Sequence, residues 1–138
     1  MRRSSNLCYM FEIQILPYSY HISSVIASGV EPSLTWGDIP SNTVSLVLTL
    51  IDTTTTPLYV HLFKYNIPIS GIGGEFAYTS AKTLGYYPPS PPHGETHRYV
   101  YTLYALNTML PHSTDVNTLY NAMRGHVITE TSTSFHYY

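Results

Sequence analysis

Three residues of this 138-residue chain combine reactive side chains with telling positions: Asp52, His61 and His97. Asp52 closes the apolar run Val44 to Ile51 (VSLVLTLI), His61 lies inside the next run, Leu58 to Ile67 (LYVHLFKYNI), and His97 opens a third, His97 to Leu106 (HRYVYTLYAL). A carboxylate and two imidazoles among buried strands are costly unless they satisfy one another or a ligand, so their convergence would mark a site. Each also has a structural explanation: an Asx-type turn for Asp52 over the following threonines, a satisfied core histidine for His61, a loop anchor for His97. Taken singly, the structural explanation is the stronger one for each.

One carboxylate and two histidines are also the ingredients of a facial iron site, but the usual short His-x-Asp or His-x-Glu spacing is absent. No Gly-x-Ser-x-Gly elbow occurs. The string Gly71-Ile72-Gly73-Gly74 contains no nucleophile and lacks the following helix of a dinucleotide fingerprint. The expectation is therefore a non-enzymatic protein without cofactor or metal.

The elements that must position these side chains are mostly strands. Fourteen tyrosines, many threonines and ten prolines favour half-buried strands broken by turns over long helices, so the class is mainly β. Phe11 to Leu16 reads as a first strand stopped by Pro17. Ser19 to Asn42, punctuated by Gly29, Pro32, Gly37 and Pro40, reads as irregular chain pinned by Trp36. Val44 to Ile51 has the pattern of a central strand covered on both faces. Pro68 to Pro92 reads as a long loop with little scope for regular structure. In the third run, period two puts His97, Tyr99, Tyr101 and Leu103 on one face and Arg98, Val100, Thr102 and Tyr104 on the other. Thr114 or Asp115 can cap a short helix through Arg124 that Gly125 ends, and Val127 to Phe135 is a last strand. His126, just past Gly125, can cap free carbonyls there.

Length and composition bound the function. One domain over residues 10–138 is expected, with residues 1–9 a disordered tail or a misread start. Charged residues are 10% of the chain and the formal net charge is −2, so neither a nucleic-acid footprint nor a polybasic membrane patch is present. Cys8 is the single cysteine, which excludes an intrachain disulfide and fits a reducing cytoplasm. Arg2-Arg3 and the run Leu7 to Leu16 do not make a secretion signal, because Glu12 and Gln14 interrupt the run and no small-residue cleavage site follows. No apolar stretch approaches the roughly 20 residues that span a bilayer, so a soluble protein is expected. A tyrosine-rich surface is compatible with a homodimer.

The order of the motifs resembles the phosphatidylethanolamine-binding family, especially its compact bacterial and archaeal Raf-kinase-inhibitor-like branch. Glu31-Pro32-Ser33-Leu34-Thr35-Trp36 is similar to the family's Ser-Pro-Pro-Leu-Ser-Trp segment, and Asp52 matches the first aspartate of its Asp-Pro-Asp-Ala-Pro turn. Val60-His61-Leu62 and Tyr65-Asn66-Ile67-Pro68 resemble its Val-His-Trp strand and Tyr-Asn-Ile-Pro ending. Gly85-Tyr86 through Pro91-Pro92, then Gly94, then His97-Arg98-Tyr99, resembles its most specific signature. Thr102 to Leu106 and Ala122 to Val127 follow in order. The chain departs from the family at Thr53 to Thr56, which replace Pro-Asp-Ala-Pro and remove a second acidic residue, and at Leu62, which replaces a tryptophan. It also stops at Tyr138, without the C-terminal helix of the animal members.

The resemblance implies a large antiparallel sheet packed on a smaller one, with a pocket near strand ends. It implies a ligand site of Asp52, His61, Pro91, Pro92, Gly94, His97 and Tyr99. There, imidazole N–H groups, the Tyr99 hydroxyl and loop amides would meet a phosphate-like or other anionic group of a phospholipid headgroup or phosphorylated ligand. Asp52 would orient one imidazole and favour its protonated form, or receive an amine joined to the phosphate. Arg98, on the opposite face, would form a structural ion pair. Loss of the prolines after Asp52 would loosen the rim. The alternative implied by relatives is an inhibitor of a serine protease or protein kinase that acts through loop Gly71 to Gly94.

Overall fold

A computed structural model describes residues 12–16, 33–69, 82–86 and 89–137. The tail expected at 1–9 and residues 19–32 of the stretch Ser19 to Asn42 lie outside them. Strands β1 (Glu12–Leu16) and β2 (Ser33–Gly37) form a two-stranded antiparallel sheet. Strands β3 (Ser45–Asp52), β4 (Tyr59–Ile67), β5 (Lys82–Tyr86), β6 (His97–Leu106) and β7 (Val127–Tyr137) form a five-stranded sheet in the order β5-β4-β3-β6-β7, antiparallel throughout. Helix α1 (Val116–Met123) precedes β7.

The run VSLVLTLI becomes the middle strand because both of its faces find apolar cover. Leu46, Leu48 and Leu50 point with Tyr99, Tyr101, Leu103 and Ala105 toward Ile13, Leu34 and Trp36 of the small sheet. Val47 points the other way, with Phe63, Tyr65 and Leu106, against Leu110 and the helix residues Leu119 and Met123. Leu119 is fully buried, and burial of a leucine side chain stabilises by about 1.5–3 kcal/mol over leaving it in water. The helix begins at Asp115, whose carboxylate accepts from the backbone N–H groups of Asn117 and Thr118. It ends before Gly125, whose φ of 79° lies in the left-handed region that a glycine adopts without strain.

Two readings of the sequence are corrected. Ser33–Gly37 is a strand, not irregular chain: Leu34 and Trp36 alternate inward, and β1 supplies the ladder that the surrounding prolines and glycines hide, with Trp36 opposite Ile13. Lys82–Tyr86, inside the expected structureless loop, pairs with the edge of β4, where one neighbour suffices to make a strand despite Gly85.

β4 departs from period two, and this matters for the site. Leu50 pairs with Leu62 but Ile51 pairs with Val60, so His61 is the extra residue of a bulge. Val60 and Phe63 both pack on the helix side, whereas Leu62 packs on the small-sheet side. The side chain of His61 is thereby re-aimed to the face that carries Tyr99. A second irregularity lies before Ile67, at Asn66, whose φ is 54°. Its amide clamps Leu110 by donating to the carbonyl at 3.0 Å and accepting from the N–H at 2.8 Å.

This clamp gives a stability test. Asn66→Ala loses both bonds and puts in the left-handed conformation a residue that tolerates it less well than asparagine, for an expected loss of about 2–4 kcal/mol. Asn66→Gly keeps the conformation accessible and loses only the bonds, so urea unfolding should find it about 1 kcal/mol less destabilised than the alanine variant.

Candidate functional site

Antiparallel pairing brings the end of β3 to the start of β6 and of β4. Asp52 stands opposite Tyr99 on one side and Tyr59 on the other. His97, two residues before Tyr99, lies on the same face of β6. The His61 ring meets the edge of Tyr99 with centroids 5.3 Å apart and Tyr59 at 4.6 Å, and His97 lies 6.4 Å from Tyr99. These side chains line an open cavity of about 560 Å³, lined also by Ser90, Pro91 and Pro92 and by Thr54, Thr55 and Thr56.

Both explanations offered for Asp52 hold at once, one for each carboxylate oxygen. Oδ1 accepts from the backbone N–H of Thr54 at 2.8 Å, which is the Asx turn, and Oδ2 lies 2.5 Å from Nδ1 of His97. The threonines do not loosen the rim as the loss of prolines suggested. Thr53 donates through its N–H and its hydroxyl to the carbonyl of Arg98, and Thr54 Oγ1 accepts from the N–H of Arg98, which ties the turn to β6.

The second nitrogen of His97 has an acidic partner that the sequence reading missed. Glu95 Oε1 lies 2.8 Å from Nε2. An imidazole can offer an N–H from both nitrogens only when it carries a positive charge, so the pair of carboxylates favours the imidazolium. The pKa of His97 is accordingly raised from 6.5, first by the hydrogen bond to Glu95 and then by that to Asp52, against a smaller opposing effect of burial. The two partners differ in setting: the Asp52 side chain is 4% exposed and that of Glu95 is 57% exposed. Tyr99, fully buried, has its phenol pushed up to about 12 by that burial and by the charges of Asp52 and Tyr137, so it stays protonated and can donate.

Of the seven predicted site residues, Asp52, His61, Pro91, Pro92, His97 and Tyr99 line the cavity. Gly94 does not; it makes the turn. Its φ of 88° allows the Glu95 N–H to bond the Pro92 carbonyl at 2.9 Å, and this aims Glu95 back at His97. Glu95, Tyr59, Ser90 and the threonines are additions. Glu95 was findable, since period two extended back from Tyr99 and His97 reaches it. The Arg98 side chain is exposed and makes no ion pair with a described residue, contrary to the expected structural pair. His126 caps as expected, its N–H donating to the Met123 carbonyl at 2.9 Å, and its ring bonds Asn107. Of the loop Gly71 to Gly94, residues 71–81, 87 and 88 lie outside the described residues. Among the described residues no group of three or more His, Cys, Asp and Glu side chains is disposed to hold a metal, and no helix is long and apolar enough to cross a membrane.

Comparisons with known proteins agree with the order of motifs. The profile of the phosphatidylethanolamine-binding protein family matches residues 12–138. A UPF0098 protein of Chlamydia muridarum is 33% identical over 129 residues, covering 82% of this chain and 83% of its own. One from Methanothermobacter thermautotrophicus is 34% identical over 120 residues, covering 73% and 78%. The crystal structure of a phosphatidylethanolamine-binding protein homologue from Chlamydia trachomatis superposes with a TM-score of 0.75 at 27% identity, covering 93% of this chain and 97% of that one.

The raised pKa of His97 sets a pH dependence with a definite sign. Its contribution to stability is fully present below the unfolded value of about 6.5 and is lost as pH rises through the higher folded value. Nitrogen-detected NMR should place the midpoint of His97 above 6.5, with both ring nitrogens protonated below it. The stability difference between the wild type and His97→Gln should shrink above that midpoint, and a folded midpoint at or below 6.5 would refute the double bond to carboxylates.

Proposed function

The chain belongs to the phosphatidylethanolamine-binding protein family, and from that premise we propose that it is a non-catalytic binding protein whose pocket takes a small ligand through a phosphate-like or other anionic group. The observation that carries the reading is the imidazole of His97 on the wall of a cavity large enough for a headgroup, with a carboxylate on each ring nitrogen, an arrangement that favours its charged form. The protonated phenol of Tyr99 and the ring of His61 stand beside it on the same wall.

Binding is favoured over catalysis by the same geometry. Both nitrogens of His97 are engaged by carboxylates, which leaves the ring no free lone pair to take a proton from a substrate, and burial pushes the Tyr99 phenol up to about 12, so it too is held protonated. Two carboxylates around one imidazolium leave the wall with a net negative charge. A bare anion should therefore bind weakly, and a phosphate joined to an amine, which Asp52 or Glu95 can receive, should bind better. A single cysteine fits a cytoplasmic setting. Inhibition of a serine protease or protein kinase through loop 71–94 is the lesser reading, since what supports a function in the described residues is the pocket.

The test is calorimetric or NMR titration with inorganic phosphate, sulfate and phosphoethanolamine between pH 5.5 and 8.5. The groups facing His97 are Asp52 from β3, His61 and Tyr59 from β4, Tyr99 beside it, Tyr137 from β7 and Glu95 from the turn. Of these, His61 is the other histidine, so the His61→Gln variant separates the two. Binding is expected to weaken as pH rises through the folded pKa of His97 and to be lost in His97→Gln. Sulfate, whose charge is constant across the range, separates the protein's titration from that of phosphate. A flat response to pH, or no binding of any probe, would remove the proposal.

A further inference from the structure

The Nε2–H of His97 already carries an anionic oxygen, that of Glu95 at 2.8 Å. This is the direction in which a ligand in the cavity must approach the ring, because Nδ1 is closed off by buried Asp52. The two carboxylates are built differently. Asp52 lies on a strand, and its second oxygen is fixed by the Thr54 N–H. Glu95 sits in the turn made by Gly94, is more than half exposed, and among the described residues its carboxylate has no other hydrogen-bond partner. Rotation about its own side-chain bonds frees Nε2 while the backbone bond from Glu95 to Pro92 stays in place.

We propose that Glu95 is a built-in competitor for the anion position of the pocket: its carboxylate occupies His97 until the anionic oxygen of a ligand replaces it, so Glu95 sets the affinity and selects the ligand. This rests on the pocket reading given above and deepens it. A neutral acceptor such as an ester or amide carbonyl loses the exchange, because it trades a charge-assisted hydrogen bond for a weaker one. A singly charged carboxylate makes no better bond than Glu95 and must also give up translational freedom, so it does not displace it. A sulfate or a phosphoryl group, with more oxygens and, for sulfate and doubly ionised phosphate, more charge, is the class that does.

The experiment uses the full chain as wild type, Glu95→Ala and Glu95→Gln, titrated with inorganic phosphate and with sulfate. At about pH 5.5, below the ordinary histidine value, His97 is charged in all three forms, so the comparison isolates the competition. Glu95→Ala is expected to bind both anions roughly two- to fivefold more tightly than the wild type, the range that an exposed charge pair is worth. Glu95→Gln, whose amide oxygen still accepts, should fall between them. At pH 8 the advantage of Glu95→Ala should shrink, because without Glu95 the ring loses its proton sooner. Addition of phosphate to the wild type should shift the side-chain carboxyl resonance of Glu95. Equal affinities at pH 5.5, with wild-type binding intact, would overturn the competitor role and leave the pocket reading standing. Weaker binding by Glu95→Ala would overturn it as well, and make Glu95 part of the wall that holds the ligand. No binding by any form would remove the pocket reading and the role of Glu95 with it.

Discussion

The pairing of β3 with β6 is the constraint on which the site depends. Its register runs without a break from Ser45 opposite Leu106 to Asp52 opposite Tyr99, whereas the pairing of β3 with β4 is interrupted twice. Side chains alternate across a strand, so a slip of one residue would carry Leu46, Leu48 and Leu50 from the inter-sheet core to the helix side and turn Asp52 away from His97. The apolar pairs Leu48–Leu103 and Leu50–Tyr101, all fully buried, hold that register. The polar cluster at the strand ends is thus positioned by hydrophobic burial several residues away.

That arrangement brings a carboxylate into a place where, alone, it would be expensive to keep charged. Asp52 is 3% exposed, and an unpaired buried carboxylate costs several kcal/mol. The backbone N–H of Thr54 and the Nδ1–H of His97 together offset the cost, and the charge on His97 is favoured in turn by Glu95 on its far side. The chain of dependence runs outward from the buried carboxylate to the ring and then to an exposed glutamate. Threonines in place of prolines do not break it, because their hydroxyls and N–H groups bind the turn to the β6 backbone.

How much of this could be read in the sequence follows from the physics of each element. β3, β4 and β6 were legible because long apolar runs of strand length admit few alternatives, and the helix because Asp115, Leu119, Met123 and Gly125 carry a cap, a stripe and a stop. β2 and β5 were not, since each is five residues long and owes its state to a partner: Ile13 opposite Trp36 for one, the edge of β4 for the other. The resemblance assigns His61 to the pocket, yet strict alternation along β4 would have set it on the helix side with Phe63 and Tyr65. Only the bulge, a property of the pairing, puts it beside Tyr99. Gly94 acts through the turn and not the wall, because a residue without a side chain contributes a backbone conformation.

The cavity therefore has one rigid side and one adjustable side, and the chemistry is divided between them. Asp52, His61, His97 and Tyr99 are fixed by ladders and packing, so the acceptor and the donors they present stand at set positions with little conformational entropy left to lose. Glu95 projects from a turn held by a single backbone bond and a glycine at positive φ, with its carboxylate in reach of water. A wall made only of the fixed residues would offer any anion the same imidazolium. A wall made only of loop would have no stable charge to offer. Joining them makes the exposed arm the tunable element: its charge and length can change without disturbing the strands, whereas a change at Asp52 disturbs the turn, the ring and the burial together.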